Sequence, residues 1–162
     1  ACKEGAKEIY MLGFDGSDYN KPINNVYKGS DNYLPANSRG FNTTSWDNQF
    51  KMVQRDFPNV QFYDYTKIKK RVIKYLNNMY PKNYHLTFSM HETNYDDCME
   101  VLNKGGNVAM VFRNNLPETY KGFQVVNGDE SDLRFLDPIN SIVGLKAKGK
   151  AKKDTTGFVV NS

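Results

Sequence analysis

Cysteine and histidine are scarce in this chain of 162 residues, which carries two of each. Cys2 and Cys98 cannot build a disulfide framework and form no C-x-x-C pair, so they read as reduced thiols in a cytoplasm. Cys98 falls where a helix would bury it, as a packing residue rather than a nucleophile. With only His85 and His91 there is no H-E-x-x-H and no second histidine at ligand spacing, which argues against zinc. Long apolar runs are missing as well. Nothing approaches the roughly 18 to 20 consecutive apolar residues of a bilayer span, and nothing at Ala1 reads as a charged leader, so neither a membrane protein nor a secreted one is expected. No G-x-G-x-x-G, G-x-S-x-G or kinase-type element occurs, and no internal repeat.

What is present has the composition of one globular domain with a core, taken as residues 1–162: 39% hydrophobic, 25% charged, mean hydropathy −0.70. Because the chain opens without methionine and in mid-pattern, a fragment or processed form is expected. The 22 lysines and arginines exceed the 18 acids, for a net charge of +4. Five of those lysines (Lys146, Lys148, Lys150, Lys152 and Lys153) sit in one short stretch, and without them the balance is 17 against 18. The body is thus nearly neutral, and the pI near 8.9 comes from the tail. That excludes a nucleic-acid footprint spread over the whole surface and leaves room for a local phosphate contact.

Patterning along the chain predicts alternating strands and helices. Ile9 to Leu12 is a short apolar strand ended by Gly13-Phe14-Asp15-Gly16, and Ser17 to Thr43 is a long irregular connection rich in Asn, Gly, Ser and Tyr. Thr44 or Ser45 can cap a helix with Trp46, Phe50, Val53 and Phe57 on one face. Val60 to Tyr65 reads as a strand, and Thr66 opens a second helix with Ile68, Val72, Ile73 and Leu76 inward and Lys67, Lys69, Lys70, Arg71 and Lys74 on a solvated face. Tyr84 to Ser89 is the next strand. Thr93 to Asn103 is a third helix closed by Gly105-Gly106, and Asn107 to Phe112 is an apolar strand buried on both faces. Gly122 to Val126, Leu133 to Leu136 and Ser141 to Leu145 predict further strands. The order is that of an α/β layered fold with a mainly parallel sheet, either partial β/α-barrel-like or open and Rossmann-like.

In such folds ligands bind at the carboxyl ends of the strands, where loops are free to vary and helix N-termini present N–H groups. The residues just beyond the predicted strands form a polar rim of mixed charge. Asp64, Glu92 and His91 are the candidate acid–base residues. Asp15, Asn25, Lys67, Ser89, Asn94, Arg113, Lys146 and Lys148 are candidates to bind a ligand or cofactor, the cations by neutralising phosphate. Asn127-Gly128-Asp129-Glu130-Ser131-Asp132 is rich in the oxygen ligands a divalent cation needs, with Asp129 and Asp132 as its metal candidates, but it lacks the full twelve-residue calcium pattern and reads more readily as a hairpin turn with solvated acids. Gly144 to Lys150 lacks the Walker spacing but sets lysines among small residues. His85, inside a strand, reads as a packed or hydrogen-bonded core histidine.

From Phe57-Pro58-Asn59-Val60-Gln61-Phe62 onward, the segments FYDYTK, NYHLTFSMHETN, GGNVAMVFRNNLPETYKGFQVVNGDESDLRFLDP and VGLKAKGKAKKDTTGFVV resemble, in order and spacing, the C-terminal part of the bacteriophage gene product 88 family. That resemblance implies a viral protein working in the cytoplasm of an infected host cell. It also implies an upstream cysteine-rich segment able to hold an iron–sulfur cluster, and strands like those of the partial β/α barrel of radical S-adenosylmethionine enzymes. KEIYMLGFDGSDYNKPINNVYKGSDNYL is similar to strand-and-loop segments of marine phage proteins with a Rossmann-like, glycosyltransferase-like sheet, which would place Asp15, Asn24, Asn25 and Tyr27 near a nucleotide-sugar pocket. Together the two resemblances describe a mosaic gene with a junction near residues 57–65.

Three functions follow as expectations. The first is an enzyme or enzyme remnant acting on a nucleotide-type or other phosphate-bearing small molecule. A second is a non-catalytic module holding single-stranded nucleic acid by the lysine tail and by Tyr63, Tyr65 and Tyr120. The third is a virion or assembly protein.

Overall fold

The computed structural model describes residues 8–10, 48, 51–52 and 54–161. Asp15, Asn24, Asn25, Tyr27 and Cys2, with the sequence readings attached to them, lie outside the described residues.

The elements are β1 (Glu8–Tyr10), β2 (Gln61–Thr66), α1 (Lys69–Leu76), β3 (Tyr84–Ser89), α2 (Tyr95–Asn103), β4 (Val108–Phe112), β5 (Thr119–Tyr120), β6 (Phe123–Asn127), β7 (Ile142–Lys146) and β8 (Val159–Val160). Their order across the sheet is β1-β2-β3-β4-β7-β6-β5, and every pair is parallel except β5 with β6. β1 pairs with β2 from Glu8↔Gln61 to Tyr10↔Tyr63, so strands from both sides of the expected junction share one sheet. β3 pairs with β4 only at Phe88↔Val108 and Ser89↔Ala109; beyond that point β8 takes its place, at Val111↔Val159 and Phe112↔Val160.

Strand order decides which face each connection occupies. From β1 to β4 the chain steps one way across the sheet, and right-handed crossovers put successive connections on the same face. α1 and α2 accordingly pack together on one face, over Phe62, Leu86, Phe88, Val108, Met110 and Phe112. Between β6 and β7 the step reverses, and the connection crosses the opposite face as a single 3₁₀ turn, Arg134–Leu136. That turn touches β3, and the Phe135 ring lies 5.6 Å from that of Tyr63. The sheet therefore has one helix-covered face and one face with no α-helix among the described residues.

Leu133 to Leu136 was expected as a strand, because Leu-Arg-Phe-Leu alternates. It closes instead on local hydrogen bonds, from the Leu136 N–H to the Leu133 carbonyl (3.0 Å) and from the Asp137 N–H to the Arg134 carbonyl (3.2 Å). The basic face of α1 also differs from expectation. Arg71 turns inward to Asp64, and Lys69 bridges to Asp97 and Glu100 of α2 at 2.7 and 2.6 Å. At the end of α2, Gly105 (φ +87°) allows the left-handed step of a Schellman cap, in which the Gly106 N–H donates to the Val101 carbonyl and the Gly105 N–H to that of Leu102, both at 2.9 Å. Lys121 and Gly122 both have positive φ and make the tight hairpin between β5 and β6. Asn83 fastens the entry to β2, its amide donating to the carbonyls of Gln54, Phe57 and Val60.

Candidate functional site at the carboxyl edge of the sheet

β3, β4 with β8, β7 and β6 are neighbours and point the same way, so the residues after each of them line one edge. On the β3 side, Asn94 organises the loop: its side-chain oxygen accepts from the His91 N–H (2.7 Å) and its amide donates to the Ser89 carbonyl (3.0 Å). Asn94 is buried in that role and is a loop staple rather than a ligand contact. His91 Nδ1 accepts from the Thr93 N–H at 3.3 Å and lies 3.9 Å from the Glu92 carboxylate, which is exposed.

The C-terminal segment meets this loop. A Cβ placed on Gly157 would lie 3.6 Å from the Glu92 carbonyl oxygen. The same segment is tied to the end of β4 by Arg113, whose Nε donates to Asn161 Oδ1 (2.5 Å), Nη1 to the Lys152 carbonyl (2.6 Å) and Nη2 to the Asp154 carbonyl (2.6 Å). Each of the three nitrogens of the Arg113 guanidinium thus makes a hydrogen bond within the chain itself. Beyond β7 the lysines of the tail surround a second 3₁₀ turn, Gly149–Lys153. Lys146, Lys150, Lys152 and Lys153 are exposed, and no ion pair engages them among the described residues; Lys67, after β2, is in the same state.

Lys148 differs, pairing with Asp129 Oδ1 at 2.7 Å while the Lys146 N–H donates to Asp129 Oδ2 at 2.9 Å. These bonds, the Lys148 one above all, hold the Asp129 carboxyl below its usual pKa. Among the described residues no three His, Cys, Asp or Glu side chains gather to hold a metal, Asp129 and Asp132 included. The segment is a salt-bridged turn, with the Asn127 amide donating to Glu130 at 2.8 Å.

Asp64 lies elsewhere. Its place in β2 points it to the helix-covered face, 2% exposed, where Arg71 Nη2 reaches Oδ2 at 2.8 Å and donates also to the Tyr84 hydroxyl at 2.6 Å. It belongs to a buried network and not to the edge. The tyrosines proposed to stack on bases are likewise withdrawn from solvent: Tyr63 is buried and Tyr65 and Tyr120 are half-buried.

A polar group on the helix-free face went unnoticed in the sequence. Arg134, 1% exposed, donates from Nη2 to the Ser131 carbonyl and has Nε 3.3 Å from Asp137 Oδ2, while its Nη1 has no hydrogen-bond partner among the described residues. Burial, helped by the nearby Arg134 cation, pushes the His85 imidazole down to about 4, so it is neutral. His85 sits 3.3 Å from the Thr87 hydroxyl and 3.5 Å from that of Tyr75, the hydrogen-bonded strand histidine its position suggested. Burial also raises Tyr65, to about 12, against the lowering effect of Arg134. An Arg and an Asp three residues apart in the connection between β6 and β7 is the one signal that marks this pair in the sequence.

These features define an α/β protein with a mostly parallel mixed sheet whose open edge is cationic. The family model for gene product 88 matches residues 41–162, and the chain belongs to that family. No curated protein and no solved structure matched the chain. Among the described residues no helix is long and apolar enough to cross a membrane. An iron–sulfur cluster of the implied kind requires three thiolates, and this chain does not fit one. Cys98 is fully buried with its thiol pushed up to about 12 by desolvation, and Cys2 is the one other cysteine.

Proposed function

We propose that the chain binds a phosphate-bearing small molecule of the nucleotide type at the carboxyl edge of its sheet, on a scaffold closer to a partial β/α barrel than to a Rossmann-type sheet. The barrel-like reading draws support from the one-way stepping of β1 to β4, which leaves α1 and α2 on a single face, and from the reversal at β6 to β7 placing a 3₁₀ turn rather than a helix on the other. The observation that carries the ligand class is the set of exposed lysines at one edge (Lys146, Lys150, Lys152 and Lys153), none of them in an ion pair among the described residues. Like charges held close together repel, and an anion of high charge density relieves that repulsion. Of the three acid–base candidates, His91 and Glu92 follow β3 at that edge, whereas Asp64 is committed beneath the helices.

Thermal melting against inorganic phosphate, nucleoside mono-, di- and triphosphates and a short single-stranded DNA, each with and without Mg²⁺, tests this reading. A ligand that binds the native state alone stabilises it by about 2.7 kcal/mol at a hundred times its Kd. The expected result is an upward, salt-sensitive shift with nucleotides that shrinks in a Lys146→Glu/Lys150→Glu variant. No shift with any nucleotide at millimolar concentration, or a shift with DNA alone, overturns it.

A further inference from the structure

We infer that the turn Gly149–Lys153 is a preformed seat for two or more linked phosphates, and that Arg113 is its positioning residue, acting on the ligand only through the backbone it holds. The inference rests on the phosphate-binding reading above and names the group that site would take.

The tail composition alone predicts a loose segment: lysines separated by Ala147, Gly149 and Ala151, with Gly157 beyond. Lysine side chains carry large rotamer entropy, and ordering backbone and side chains together would consume much of what an anion could return. The backbone component is already met here. Arg113 reaches two carbonyls at and just past the end of the turn, those of Lys152 and Asp154, together with the Asn161 side chain, and its own N–H donates to the Val160 carbonyl at 3.0 Å. A planar guanidinium is suited to this, because it presents several donors in a fixed fork and a cation near the carbonyl end of a helical turn is favourable. The Asp154 carboxylate is turned to the Thr156 hydroxyl (2.7 Å) and the Val159 N–H (3.1 Å), so it braces the segment without neutralising a lysine.

Local geometry then selects the ligand. In a 3₁₀ helix residues three apart lie on the same side, with a rise of about 2 Å per residue, so Lys150 and Lys153 project together with origins roughly 6 Å apart. Two ammonium groups on one side of a short rigid turn match a chain of adjoining phosphates better than a lone one. Two sources share that chemistry, a nucleoside triphosphate and free inorganic polyphosphate. Nucleic acid, with its phosphates separated by sugars, fits less well.

The test compares the wild-type chain with Arg113→Gln and with Lys150→Gln/Lys153→Gln, measuring affinity for ATP, tripolyphosphate, inorganic phosphate and single-stranded DNA, and the rate of tryptic cleavage within the turn. Wild type should bind tripolyphosphate and ATP at least tenfold more tightly than inorganic phosphate; equal affinity for the two phosphate probes points to free polyphosphate, and tighter binding of ATP to a nucleotide. The double lysine variant should lose that preference with its melting temperature unchanged. Arg113→Gln, with every lysine retained, should be cut several-fold faster in the turn and lose roughly tenfold in tripolyphosphate affinity, with inorganic phosphate much less affected. Faster cutting with unchanged tripolyphosphate affinity overturns the positioning role, and equal affinity for phosphate and tripolyphosphate in wild type overturns the linked-phosphate seat while leaving phosphate binding intact. Binding of none of the phosphate probes removes the parent reading. Should Arg113→Gln fail to fold by circular dichroism, Asn161→Ala removes one of the three anchors and should move cleavage and affinity the same way by less; no change in either would overturn the role.

Discussion

Arg71 and Arg134 each face an aspartate in the interior, on opposite faces of one sheet, and the two pairs are built differently. Arg71 comes from α1, and its contact with Asp64 is closed: a 2.8 Å hydrogen bond, a second donor to Tyr84, and the other Asp64 oxygen taken by the Tyr65 N–H at 2.8 Å. Arg134 comes from a three-residue turn and meets a carboxylate three positions on, at 3.3 Å and without hydrogen-bond geometry. A regular helix delivers a side chain across a gap to a strand partner at the distance their packing permits. A short turn must satisfy its own backbone first, and its side chains accept what is left. Identical chemistry thus gives a strut on the helix-covered face and a loosely matched pair on the other.

The largest effect should come from breaking the strut. Asp64→Ala takes the 2.8 Å carboxylate contact away from a nearly buried Arg71 cation, and urea denaturation should show a loss of about 3 to 5 kcal/mol. Asp64→Leu with Arg71→Met should recover most of it, because the double replacement removes the buried cation together with the Asp64 carboxylate. A loss under about 1 kcal/mol in the single variant would erase the contrast between the faces.

Arg134→Met should be milder, about 1 to 2 kcal/mol at neutral pH, because the pair it removes is incompletely hydrogen-bonded. Burial already raises the Asp137 carboxyl pKa against the lowering effect of Arg134, so without the cation it rises further. Protonation then neutralises Asp137 as pH falls, and the penalty measured at pH 5 should be smaller than at pH 7. A penalty matching that of Asp64→Ala would show the two pairs to be equivalent.

His85 gives the most specific signature, one absent at neutral pH. Its folded pKa is depressed from 6.5 to about 4, so between those values the unfolded chain binds the proton and the folded chain does not. Its contribution is fully present above pH 6.5 and is lost as pH falls toward 4. Chemical denaturation of wild type against His85→Gln across that window should show the wild type losing stability relative to the variant; parallel curves would mean that the imidazole titrates as it does in water.

The legible parts of the sequence were those governed by near neighbours. Tyr84 to Ser89 alternates and forms that strand, Val108 to Phe112 is apolar throughout and forms the central strand β4, and Gly105-Gly106 closes α2 because a left-handed residue is needed there. The alternation of Leu133 to Leu136 misled for a reason of the same kind: two local hydrogen bonds, invisible in an apolar pattern, decide between extended chain and 3₁₀ turn. Asp64 was read as an edge residue although strand parity sends its side chain under the helices. Arg71, grouped with lysines on a polar stripe, lies at the border of that stripe, within reach of the sheet. Among the candidate site residues, His91, Glu92 and the tail lysines do share one edge, while Asn94 and Arg113 turned from ligand contacts into the parts that hold that edge in shape.

By itself the sequence determined the kinds and limits of most elements, the α/β class and the concentration of charge in the tail, because helix periodicity, strand alternation and caps act over a few residues. Tertiary structure decided where polar side chains went. Strand order and the direction of each crossover are long-range properties, and they alone put Asp64 beneath a helix, Arg134 on the helix-free face, and Arg113 against a backbone some forty residues further along the chain.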